Sequence, residues 1–147
     1  MSPTNLHRLI YCSKARLDVI EKIDAVLPEI LAVAQKRNSA ANVTGALLCC
    51  DGWFLQTLEG PMVNVLETYG RITRDPRHEN ATVVEATPTR ERLFSNWSMC
   101  GVALSPIDKQ IVKTLESNGG FHQARTNPQS ALKLLGTVRQ IQSKRSL

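Results

Sequence analysis

Two short runs of strand-forming residues, 47–50 and 53–58, flank the dipeptide Asp51-Gly52, a spacer of the kind that closes a two-residue β-hairpin. The hairpin commits this stretch to a sheet, and the rest of the chain has to be arranged around it. Residues 35–44 read as the end of a helix, and Gly45 stands where helix gives way to strand. Within the second run Phe54, Gln56 and Leu58 share one face, because strand side chains alternate. A glutamine between two large apolar residues on a half-buried face must find hydrogen-bond partners there. Its amide both donates and accepts, and turning it over swaps the two. That combination points to a ligand on this face.

The flanking segments supply the rest of a sheet. Residues 7–13 read as a first strand, with Leu9, Tyr11 and Ser13 on one face and Ile10 and Cys12 on the other. Residues 14–24 form a connection with at most a helical turn. A helix is expected to open at Pro28, since proline suits the first helical position. Along it Ile30, Ala34 and Asn38 recur every four residues as one stripe. Pro61 opens a second helix, whose buried face carries Val65, Tyr69 and Ile72. Arg71, Arg74, Arg77 and His78 cluster near its end. Residues 81–86 read as a fourth strand and 97–104 as a fifth, the latter with Trp97, Met99 and Gly101 on one face. The order β-α-β-β-α-β-β is an α+β, ferredoxin-like pattern with one added strand.

Two helices cover one face of such a sheet, and the other face is apolar too. The tail can cover it. Ser105-Pro106 is a helix-start signal followed by the stripe Ile107, Ile111, Leu115; Asn127-Pro128 repeats the signal before Leu132, Leu135 and Val138. Charge also changes there. Residues 1–116 carry 13 basic and 13 acidic side chains, whereas no acidic residue follows Glu116 and five basic ones do. The expected organisation is a neutral domain over residues 6–104 and a basic helical extension over 105–147. No apolar run is long enough to span a bilayer and no signal peptide opens the chain, so the cytoplasm is the expected compartment, with no membrane partner. Cys12, Cys49, Cys50 and Cys100 lack metal-ligand spacing and read as reduced, buried thiols.

The motifs Leu9-Ile10-Tyr11, Asn38 with Asn42-Val43-Thr44-Gly45, Phe54-Leu55-Gln56-Thr57-Leu58-Glu59-Gly60, Asp75-Pro76-Arg77-His78 and Trp97-Ser98-Met99 resemble, in order and approximate spacing, those of the BLUF domains, flavin-based blue-light sensors. The resemblance covers residues 6–104. In the tail, Val112-Lys113-Thr114-Leu115 and Gly120-Phe121 are similar to the short, single-domain members, which carry no enzymatic output domain and act on a partner in trans.

The resemblance implies a flavin between the two helices: FAD, with FMN or riboflavin as alternatives. Tyr11 and Gln56 would be the reactive pair, and Trp97 and Met99 the last-strand residues whose placement follows the state. Asn38 would hydrogen-bond the ring edge, Ile30 and Ile72 would flank its faces, and Arg71 and Arg77, with His78 near, would reach the phosphate end. Arg37 departs from the His or Asn of several members. In the family's working mechanism Tyr11 gives an electron and a proton to the excited flavin, and the Gln56 amide rotates or tautomerises. The absorption then shifts to the red and reverts in the dark. A downstream signalling protein and a homo-oligomer are the implied partners; no catalytic residue and no metal are.

Read singly, each of these residues has a plainer role: Tyr11, Ile30, Ile72, Trp97 and Met99 as core, Asn38 as a helix-ending residue, Arg71 and Arg77 as a solvated face. Two other functions stay open on the residues alone. A small hydrolase on this scaffold would need a nucleophile–base–acid set, but His7, His78 and His122 are scattered. A nucleic-acid module would use the basic tail, whose single aromatic is Phe121.

Overall fold

The computed structural model describes residues 6–50, 52–95, 99–103 and 127–145. Strand β1 (Leu6–Ala15) is followed by a one-turn helix α1 (Leu17–Glu21) and a long helix α2 (Ile23–Ala40). The hairpin β2 (Thr44–Cys50) and β3 (Trp53–Pro61) comes next, then α3 (Met62–Thr73), β4 (His78–Pro88), β5 (Cys100–Ala103) and α4 (Pro128–Arg145). The sheet order is β4-β1-β3-β2-β5. Every neighbouring pair is antiparallel except β2 and β5, which run parallel. This is the expected ferredoxin-like α+β sheet with its extra strand on the β2 edge.

The register sorts the side chains. Tyr11 pairs with Gln56 and Leu9 with Leu58, while Gln56 pairs with Leu47 on its other side. Leu9, Tyr11, Leu47, Cys49, Phe54 and Leu58 therefore belong to the core under α2 and α3. Ile10, Cys12, Ala46, Leu48, Cys50 and Leu55 belong to a second core on the reverse face, closed by Phe94 and by Ala131, Leu134 and Leu135 of α4. Burial on both faces explains why β2 and β3 read as near-continuous apolar runs. At the hairpin tip Gly52 has φ +82°, a conformation that glycine adopts without a Cβ clash.

Several boundaries differ from the sequence reading. Helix α2 starts at Ile23 rather than at Pro28, which lies inside it. The apolar face runs on upstream through Ile23, Val26 and Leu27, and a proline in the second turn costs one bond, to the Asp24 carbonyl. Gly45 is a strand residue: a Cβ there would stand 2.0 Å from the Thr57 carbonyl oxygen, so glycine is needed for the close approach of β3. Strand β5 is described over Cys100–Ala103; residues 97 and 98, expected at the start of this strand, lie outside the described residues. Among the α4 residues whose burial is described, Ala131, Leu134 and Leu135 are buried and Leu132 is partly buried against them; Val138 of the expected stripe lies outside these. Of the two tail helices, the one expected after Ser105 lies outside the described residues, as does Trp97. The second is α4, on the expected face; Asn127 caps it, its side chain accepting from the Ser130 N–H at 3.1 Å. Cys12, Cys49 and Cys50 are buried thiols; burial, then the neighbouring Cys50, pushes Cys49 up to about 12, leaving it neutral.

Candidate functional site

Helices α2 and α3 leave a cavity of about 380 Å³ against the sheet, within the size range of small-molecule sites. Its floor is Tyr11 from β1, Leu47 from β2, and Phe54 and Gln56 from β3. The α2 stripe Ile30, Ala34 and Asn38 forms one wall, and Thr68, Arg71 and Ile72 of α3 contribute the other. Asp75, Arg77 and His78 line the end where α3 passes into β4. Of the expected site residues that the structure describes, all but Met99 line this space, and Met99 touches it through Gln56.

At the floor, two buried side chains and a thioether make a chain of hydrogen bonds. The Tyr11 hydroxyl donates to Gln56 Oε1 at 2.5 Å. Gln56 Nε2 in turn donates to Met99 Sδ at 3.2 Å, and the Met99 carbonyl accepts from Gln35 Nε2 at 3.0 Å. Tyr11, Gln56 and Met99 are each under 5% exposed, so no bulk water competes with these bonds. Burial above all, then Tyr69 and Asp75, holds the Tyr11 phenol far above its ordinary range; it stays protonated and keeps donating. The Tyr69 ring lies 5.3 Å from that of Tyr11.

The polar end of the cavity is more tightly committed than the sequence suggests. Arg77 forms a two-point fork with Asp75, Nε to Oδ1 at 2.9 Å and Nη2 to Oδ2 at 2.7 Å. Burial raises the Asp75 carboxyl, but the Arg77 side-chain and backbone hydrogen bonds outweigh it and the net shift is downward. Both groups keep solvent contact, so the pair adds little to stability. His78 uses both ring nitrogens. Nε2 donates to the Ile72 carbonyl at 2.6 Å, and Nδ1 shares a hydrogen bond with Ser13 Oγ at 2.6 Å. The ring thereby ties the end of α3 to β1, within 6.3 Å of the Tyr11 ring. Arg71 reaches Thr68 Oγ1 at 3.5 Å. Among the described residues, neither Arg37 nor Arg71 takes part in an ion pair.

A planar, amphipathic, anionic ligand fits these walls. Aliphatic Ile30 and Ile72 suit an aromatic ring, the buried Asn38 and Gln56 suit its polar edge, and Arg37 and Arg71 suit phosphate. Sequence reasoning missed Thr68, although it stands three and four positions before Arg71 and Ile72 on the same helical face. It also missed Gln35 and Ser13, which act only on other site residues and leave no local pattern.

Comparison with known proteins gives the class. The BLUF family model, described as sensors of blue-light using FAD, matches residues 6–100. The photoactivated adenylate cyclase subunit beta of Euglena gracilis is 40% identical over 97 residues, covering 65% of this chain and 11% of that protein; the chain thus spans about a tenth of that curated relative. The dark-state structure of BlrB, a BLUF protein, matches with a TM-score of 0.70 at 28% identity, over 92% of this chain and 96% of BlrB. BlsA in its ground state matches with a TM-score of 0.74 at 26% identity, over 90% and 87% of the two chains. The chain belongs to the BLUF family, whose members sense blue light with a bound flavin, FAD in the family's own description.

Proposed function

We propose that the cavity between α2 and α3 holds this flavin, and that Tyr11, Gln56 and Met99 form the switch it drives. The observation that carries the reading is the buried chain Tyr11 hydroxyl, Gln56 amide, Met99 sulfur. Bound there, the flavin supplies absorption of blue light and a strong electron acceptor. Tyr11, a protonated and oxidisable phenol, gives up an electron and its proton and regains both. Gln56 can settle in either of two arrangements, because its amide presents one donor end and one acceptor end. In the arrangement seen here the acceptor end faces Tyr11 and the donor end faces Met99. Turning the amide over removes the donor from Met99, and tautomerising it leaves the nitrogen one proton in place of two; either change alters the contact with the sulfur, and the strand beginning at Cys100 feels it. In the same reading Ile30 and Ile72 hold the ring, Asn38 its polar edge, and Arg71 and Arg37 the phosphate end. Arg77 acts through its fork with Asp75, and His78 braces Ile72. Trp97 is assigned a part in the last-strand movement by resemblance alone.

The binding half of the proposal is tested by purification. The protein should be yellow, with flavin recovered by extraction in near-equal proportion to chain. Asn38→Ala should lower occupancy. The polar edge of the ring would lose a partner in a site shielded from water, a loss of about 1–3 kcal/mol, or roughly 5- to 150-fold in affinity. Equal affinity by titration of the apoprotein would leave Asn38, 3% exposed, as a helix-ending residue.

For output we propose a separate partner protein or a second copy of the chain, reached through the 105–147 extension. In support, α4 lies on the sheet face opposite the cavity, against β2, β3 and β5, and β5 follows directly on Met99. The five basic residues beyond Glu116, in a stretch of sequence with no acidic residue, favour an acidic partner and a salt-sensitive encounter. Among the described residues no helix is long and apolar enough to cross a membrane. Hydrogen exchange in 127–145 should rise or fall between dark and light, together with the mass by light scattering or pull-down. Identical exchange and identical association in both states would make the tail a structural cover only.

A further inference from the structure

Two glutamines hold Met99, one by its side chain and one by its backbone. The sulfur accepts from Gln56 Nε2 at 3.2 Å, and the carbonyl accepts from Gln35 Nε2 at 3.0 Å. The two amides differ in what they face. Gln56 meets the Tyr11 hydroxyl, a group that can donate or accept, so either end of its amide can face that neighbour. Gln35 meets a backbone carbonyl, which only accepts. Only the N–H end of the Gln35 amide fits there, so its orientation is fixed. One residue is thus gripped by a reversible amide and by one that cannot reverse.

Gln35 lies on the helix that walls the cavity, on a different face. Ile30, Ala34 and Asn38 line the cavity. Leu31 and Gln35, also four apart, share the adjoining face. That face lies against β5. A Cβ at Gly101 would stand 2.6 Å from Leu31 Cδ2, so a bare backbone at 101 is what lets α2 sit this close to the strand. Gln35 reaches the same segment at Met99, directly before the pairing of Cys100 with Ala46. That pairing fixes the strand beyond Met99, whereas Gln35 takes hold of Met99 itself. The thioether methyl lies over Gly45, where a Cβ would stand 3.3 Å from it. Gln35 is itself exposed and lies outside the cavity lining, so its replacement should spare the fold and the flavin.

We propose that Gln35 is a positioning residue for the switch: by tying the Met99 carbonyl to α2 it keeps the thioether within reach of the Gln56 amide, favours the dark arrangement, and so sets how fast the lit state returns. The inference rests on the reading of Gln56 and Met99 as switch residues.

The test uses the full chain with its flavin, as wild type, Gln35→Leu and Gln35→Lys. Leucine keeps the bulk and loses the donor, while lysine restores an N–H donor with enough reach. All three should load flavin equally and show the red shift. Dark recovery should be slower in Gln35→Leu by about three- to tenfold, the range of one ordinary hydrogen bond, and within twofold of wild type in Gln35→Lys. A second readout needs no illumination. The methionines are Met1, Met62 and Met99, and carbonyl-13C methionine sets their amide bands apart in the infrared. Met1 and Met62 contribute alike to each protein and cancel in the wild-type-minus-variant spectrum. The Met99 band should move to higher frequency in Gln35→Leu and return towards its wild-type place in Gln35→Lys. An unchanged or faster recovery in Gln35→Leu, an unmoved Met99 band, or a Gln35→Lys protein as slow as Gln35→Leu would overturn the role of Gln35. A wild type with no light-induced shift would remove the switch reading, and this proposal with it.

Discussion

Gln56→Leu should bind flavin and show no reversible red shift. The substitution keeps a side chain of similar volume at a floor position that is 4% exposed and flanked by Leu47 and Tyr11 in the sheet register. What it removes is both ends of the hydrogen-bond chain. Leucine can neither accept from the Tyr11 hydroxyl nor donate to the Met99 sulfur, the two contacts Gln56 makes here. The Tyr11 hydroxyl, buried, is then left to seek another acceptor, and the cost is about 1–3 kcal/mol of stability. That is a moderate loss against a domain stability of roughly 5–15 kcal/mol, so the folded, flavin-loaded protein should persist. The signal change, by contrast, should be total. Absorption spectra before and after blue illumination decide the matter, and a normal dark-reversible shift in Gln56→Leu would take Gln56 out of the mechanism.

Tyr11→Phe should also stop the photocycle, for a different reason. Phenylalanine fills the same space between Leu9, Tyr69 and the cavity but has no phenolic proton and is far harder to oxidise. The hydroxyl removed is the one that donates to Gln56 Oε1, so the amide also loses the contact that holds its acceptor end in place. Retention of flavin should change little, because Ile30, Ile72 and Asn38 are untouched. Burial keeps the Tyr11 phenol protonated well above the physiological range, so the wild-type photocycle should not show a titration of this group between pH 6 and 9. Time-resolved absorption is the check. Wild-type electron-transfer kinetics and a full red shift in Tyr11→Phe would require a different donor.

The sheet and the pairing at its centre were legible because both rest on local signals. The hairpin dipeptide and the period-two alternation set Phe54, Gln56 and Leu58 on one face, and Leu9 and Tyr11 on the same face of β1; the observed register places Tyr11 opposite Gln56. The α2 stripe was legible for the same kind of reason, since residues four apart on a helix share a face. What was not legible depends on residues far apart in the chain. Met99 meets Gln56 because β5 adds in parallel to β2, a contact that no spacing announces. The Asp75–Arg77 fork and the double use of the His78 ring likewise follow from how α3 ends against β1 and β4. Pro28 misdirects a reading of the helix start, because its preference for the first turn is weaker than the packing of Ile23, Val26 and Leu27 upstream. In α4 Leu134 is buried beside the expected Leu135, with Leu132 packed against the same core, and the part Leu134 plays is decided by the sheet beneath it.

The central claim is that this chain uses a flavin between α2 and α3 as a light switch read through Gln56. Difference absorption spectroscopy on the purified, flavin-loaded protein tests it most directly. Blue illumination should move the flavin bands to the red, and the original spectrum should return in darkness over repeated cycles. A flavin-loaded protein whose bands stay in place under illumination, or bleach without returning, would contradict the account.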